Sequence, residues 1–146
     1  MTQAIDTLAI GQFLSTFEAN ANSGDMAASA AQFADNFIAA GPDGAKTVHA
    51  SDFPKALEMR KKFFDKAGCK SSKLISQKQT GIGDRYVLVD TRWQMDFEPE
   101  GKPAASIETG SAILLDIGGA EPKILLYAAH QDIFKRMREL DLLPSC

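Results

Sequence analysis

Hydrophobic positions change period halfway along the chain. In the first half the spacing is helical. Ile10, Phe13, Leu14, Phe17 and Ala21 fall at i, i+3, i+4, i+7 and i+11, one stripe of an amphipathic helix. Asn22-Ser23-Gly24 interrupts the stripe. Asp25 then stands where it would cap a short helix from Met26 to about Phe33, its carboxylate accepting from a free N–H of the first turn. Residues 36–40 form a short apolar run, Gly41-Pro42-Asp43-Gly44 is a turn signal, and residues 46–49 return as the second strand of a small hairpin. Ser51 or Asp52 is expected to cap a third helix with Pro54 in its first turn. Phe53, Leu57, Arg60 and Phe64 keep helical spacing, and Gly68 ends that helix.

The second half alternates with period two. Residues 73–80, 85–97, 105–117 and 123–130 read as long strands separated by Gly- and Pro-rich loops, an antiparallel meander. A last helix starts near Asp132 and carries Ile133, Phe134, Met137 and Leu140. Helices followed by a meander give an α+β fold with helices on one face of the sheet. Alternation assigns Val87, Val89, Thr91, Trp93, Met95 and Phe97 to the covered face. It assigns Ile107, Thr109, Ser111, Ile113, Leu115 and Ile117 from the next strand, and Ile124, Leu126, Ala128 and His130 from the last. The opposite face then carries Leu88, Asp90, Arg92, Leu114, Leu125 and Tyr127. Its mixed character points to burial against a second copy, hence a homodimer through the sheet.

Composition narrows the class. The chain has 146 residues, 45% hydrophobic and 24% charged, enough for one domain, 1–146, with its own core. The formal charge is -3, against expectation for a protein that grips nucleic acid or an anionic bilayer. No apolar run approaches the roughly 18 residues of a membrane span. Cys69 and Cys146 lie far apart, and the N-terminal residues lack the basic and apolar regions of a secretion signal. The expectation is a cytoplasmic protein with two free thiols; a disulfide is the alternative.

The order of motifs resembles a known family. Helix, Asn22-Ser23-Gly24-Asp25, short helix, Ala34-Asp35-Asn36-Phe37, Gly41-Pro42-Asp43-Gly44, helix and meander is similar to the NTF2-like superfamily, also called SnoaL-like or ketosteroid-isomerase-like. The resemblance runs from about Ile5 to His130. It implies a curved sheet wrapped around the first and third helices, a cone with an apolar pocket, and pairing through the sheet. It does not fix an activity. Ketosteroid isomerase uses a carboxylate base, a tyrosine hydroxyl and a protonated aspartate. Matched on the Gly-Asp and Ala-Asp motifs, the tyrosine position falls on Phe17, the base on Gly41, and the aspartate near Thr109 or Ser111. All three groups are lost, so that mechanism is not expected.

Several residues remain as candidate chemistry. His130 would line the pocket and act as acid or base, or else bond a backbone carbonyl at the strand end. Trp93, the only tryptophan, stacks on a flat ligand or fills the core. Thr91, Thr109 and Ser111 offer hydroxyls to a ligand or bond locally. Phe13, Phe17 and Met95 would supply apolar wall, and Arg60 would reach inward toward a carboxylate of protein or ligand. Asp35 reads as a turn acceptor, His49 as exposed, and the lysines between 61 and 78 as a solvated face. No nucleotide, nucleophile-elbow or zinc motif is present, and no cofactor or metal is expected. Three functions stay open. One is a binding or accessory protein for a small apolar or aromatic molecule. Another is an isomerase, dehydratase or cyclase using His130. The third is an interaction module working through the back of the sheet.

Overall fold

The computed structural model describes residues 7–142. Cys146 and the segment before Thr7 lie outside the described residues, so the pairing of Cys146 does too. Helix α1 is Thr7–Ser23, α2 Met26–Ala31, α3 Phe53–Lys66 and α4 Ile133–Glu139. The strands are β1 Phe33–Gly41, β2 Gly44–His49, β3 Cys69–Ile82, β4 Tyr86–Phe97, β5 Ala105–Asp116 and β6 Lys123–Ala129. They form one six-stranded sheet in the order β2-β1-β6-β5-β4-β3.

The α+β class and the long strands follow the sequence pattern. The sheet is nevertheless mixed, because β1 pairs parallel with β6. A local alternation pattern cannot specify that join. Phe33, the expected end of the second helix, instead opens β1 and is buried there.

Local chemistry accounts for most helix ends. Asp25 caps α2 through the Ala28 N–H at 3.0 Å, and Asp132 caps α4 through the Lys135 N–H at 3.1 Å. The third helix departs from expectation. Asp52 makes no side-chain cap there. Instead the His49 ring accepts from the Ser51 N–H and caps a single helical turn, Ala50–Asp52, ahead of α3. Gly68 ends α3 with φ +83° beside the Glu98 carbonyl, a site closed to any Cβ.

Polar residues of α1 fix it to the edge strand. Asn22 donates to the Ser72 carbonyl and accepts from the Ser72 N–H, at 2.9 and 2.8 Å, as a neighbouring strand would. The Glu18 carboxylate accepts from the Leu74 N–H. Two buried clusters result. One joins Ile10 and Leu14 of α1 to Phe33, Phe37, Val87, Val89, Ile113, Leu115 and Ile124. The other joins Phe64, Met95, Phe97 and Ile107 to Ile133 and Met137 of α4.

Candidate functional site

A cavity of about 360 Å³ opens between these clusters, bounded by α1, α2, α3 and the covered face of the sheet. Its inner wall is aromatic. Phe17 stacks on Tyr127 at 6.3 Å between centroids and 20° between planes, and lies 5.9 Å from Trp93. Phe53 meets Phe33 and Phe37 edge-on at 4.6 and 4.8 Å. Met95, Phe64 and Ile133 continue the wall. Thr109, Ser111 and Tyr127 bring hydroxyls to it, and Arg60, Lys61, Asp65 and Lys70 stand at its rim. Few polar groups among apolar walls is the composition of a small-molecule cleft.

Comparison of the sequence alone gives no match to a family model or to a curated protein. Comparison of the fold does. An NTF2-like protein with a cystatin-like fold from Novosphingobium aromaticivorans superposes with a TM-score of 0.71 at 13% identity, covering 96% of this chain and 90% of that one. The beta subunit of the benzoate 1,2-dioxygenase from Burkholderia mallei gives 0.72 at 14% identity, over 92% and 95%. An NTF2-like protein of unknown function from Shewanella oneidensis gives 0.64 at 18% identity, over 87% and 100%. The chain has the NTF2-like fold. At these identities the likeness carries the architecture and no activity.

Within the NTF2-like cone, several anticipated residues meet at the cavity: Phe17, Arg60, Trp93, Met95, Thr109 and Ser111. Phe13 instead packs behind it, against the core around Leu14, and its carbonyl accepts from the buried Gln32 amide. Thr91 is buried and lies below the cavity wall. Its hydroxyl accepts from the Trp93 indole N–H at 3.0 Å and lies 2.7 Å from the Ser111 hydroxyl and 3.1 Å from the Ser111 carbonyl. Thr91 is thus occupied by protein partners, and Ser111 is the hydroxyl of this trio that reaches the cavity. Gly41, matched to the isomerase base position, lies at the exposed hairpin end of β1, outside the cavity lining.

His130 is the main correction. Its ring faces the other side of the sheet, half-exposed, with Nε2 3.9 Å from the Asp90 carboxylate and Nδ1 over Gly110. The cause is a register shift in β6. Leu115 pairs with Ile124, but Leu114 pairs with Leu126, so Leu125 is an extra residue. Beyond this bulge every side chain changes face. Ile124 stays on the covered face. Leu126, Ala128 and His130 go to the outer face, and Tyr127 and Ala129 line the cavity. Tyr127, Asn20 and Gln131 are cavity residues that the unbroken alternation and helical stripe did not identify. Tyr127 is the most consequential. Its phenol has no hydrogen-bond partner among the described residues, and it lies against Phe17. A phenol therefore lines the cavity although Phe17, the residue matched to the ketosteroid isomerase tyrosine, has no hydroxyl.

Other candidates have structural roles. The Cys69 thiol lines the cavity and is free. Burial pushes its pKa up, which keeps it protonated and a poor nucleophile. His49 serves as a cap and is not part of the lining, and Asp35 is exposed in β1. Lys61, Lys62 and Lys73 pair with Asp65, Glu58 and Asp96. On the outer face Arg92 pairs with Glu108 across the strands at 2.9 Å. Among the described residues no cluster of three His, Cys, Asp or Glu could hold a metal, and no helix is long and apolar enough to cross a membrane.

Proposed function

We propose that the protein binds a small, flat, largely apolar organic molecule in the cavity, in a binding or accessory role. One observation carries this reading: a cleft of about 360 Å³ walled by Phe17, Phe33, Phe53, Trp93 and Tyr127, with Ser111 and Tyr127 as polar points. His130 lies outside this cavity, in a depression of the outer face shared with Asp90, Arg92 and Glu108, so its imidazole does not serve as acid or base for a molecule held among the aromatic rings. The binder works as a homodimer joined through the outer face of the sheet, and in the cytoplasm, where the free Cys69 thiol stays reduced. The support for pairing is an apolar row of Ile38, Leu126, Leu114 and Leu88 across four adjacent strands, with Ala40, Ala128 and Ala112 beside it.

Trp93 is the only tryptophan and lines the cleft, so its emission reports on occupancy. The test is a fluorescence titration against a panel of small aromatic molecules, with native mass spectrometry of the same mixtures. Saturable quenching together with a one-to-one adduct per chain is the expected result. Unchanged emission and no adduct across the panel would overturn the reading.

A further inference from the structure

We infer that the molecule taken up is a carboxylate, with its apolar body against the aromatic wall and its anionic group on Arg60. This rests on the ligand-binding reading above and names the ligand's chemical class. Arg60 lies one turn before Phe64 on α3, at the cavity rim. Its guanidinium carbon is 4.8 Å from the Phe64 ring centre and 5.7 Å from that of Phe134. Among the described residues the guanidinium makes no hydrogen bond within the protein, so the planar fork of N–H donors that matches a carboxylate in two parallel bonds remains available. Among the described residues no acidic side chain forms an ion pair with Arg60, whereas its neighbours Lys61 and Lys62 pair with Asp65 and Glu58. The one acid on the rim, Asp65, is already engaged by Lys61 at 3.0 Å. Lys70 adds a second positive group to the rim. The mouth of an apolar cleft therefore carries a held, unpaired cation, and its complement is an apolar acid of single charge.

Calorimetric titration with matched pairs tests the assignment: 2-naphthoate against 2-naphthamide, and hexanoate against hexanamide. Within each pair the apolar body is the same and only the charge differs. The native protein is expected to prefer the carboxylate roughly tenfold or more, the scale of a charge-assisted hydrogen bond. Arg60→Gln is expected to abolish the preference, and Arg60→Lys to restore part of it. Lys62→Gln removes a charge from the same helix away from the cavity and is expected to keep the preference. Equal affinity within the pairs, or a preference that survives Arg60→Gln, would overturn the anionic class while the binding itself upheld the cavity reading. No saturable binding by any of the four compounds would overturn both.

Discussion

The indole N–H of Trp93 donates to the hydroxyl of Thr91, 3.0 Å away on the same strand, and that hydroxyl is in turn 2.7 Å from Ser111. The largest ring of the cavity wall is thus held by a buried polar contact as well as by packing. Thr91→Val keeps the shape and removes the acceptor. The Trp93 N–H is then buried unpaired, and the expected loss is about 1–3 kcal/mol in urea unfolding. Thr91→Ser keeps the hydroxyl and loses only a methyl, so it should retain the Trp93 emission spectrum of the native protein. A valine variant as stable as the native protein would show that the contact contributes nothing.

Two glycines separate backbone conformation from crowding. Gly68 and Gly83 both have positive φ, +83° and +63°. A Cβ at Gly83 meets nothing within 4 Å, whereas at Gly68 it lies 2.6 Å from the Glu98 carbonyl oxygen. Gly83→Ala is expected to cost about 1 kcal/mol, the conformational penalty alone. Gly68→Ala is expected to cost about 3 kcal/mol or more, because backbone on both sides must move. Thermal unfolding of the two variants side by side measures the difference, and equal losses would contradict it.

Acid should weaken the fold through Asp116. The Arg85 guanidinium, bonded at 2.9 Å through two nitrogens, holds the Asp116 carboxyl below its ordinary value, and the Gly118 N–H helps. A carboxyl depressed in the folded state stabilises it above the unfolded value and loses that contribution as pH falls through the folded one. Asp96 behaves alike, through the Ser106 hydroxyl first and the Gln94 amide next. Stability should therefore be flat near neutrality and fall below about pH 4. Asp116→Asn should be less stable at pH 7 and show a shallower acid limb. An unchanged limb in urea titrations at several pH values would remove Asp116 from the account.

The apolar row on the outer face makes a prediction about assembly. Leu114 and Leu126 pair directly across β5 and β6. Leu114→Arg is expected to convert a dimer to a monomer in sedimentation while leaving the cavity's ligand affinity in place. A native protein that sediments as a monomer would overturn pairing through this face and leave it to a different chain.

Most of the fold was legible because its long strands alternate cleanly. Along β4, Val87, Val89, Thr91, Trp93, Met95 and Phe97 are all buried, as the period of two required. The candidate site was legible where a residue stood on such a strand or on a helical stripe, as Trp93, Ser111, Phe17 and Arg60 do. It was misread where one residue altered the phase. Leu125 is apolar like its neighbours, so nothing in the sequence marks it as the bulge, yet it decides that Tyr127 and not His130 enters the cavity. The parallel pairing of β1 with β6 was hidden for a different reason: it joins segments far apart in the chain. The cap of α3 was misassigned because a separate helical turn, Ala50–Asp52, precedes it: His49 caps that turn, and Ser51 and Asp52 lie within it.

That parallel pairing also carries an entropic cost, because it closes a long loop of chain. Phe33 has Ile124 as its partner, and β1 lies between β2 and β6. The β1–β2 hairpin therefore has no place in the sheet until residues near the far end of the chain are available. Contacts between such distant segments slow folding, because a long loop must close before any bond rewards it. Phe33 of β1 and Tyr127 of β6 both stand on the cavity wall, so that wall exists only where two segments distant in the chain have met.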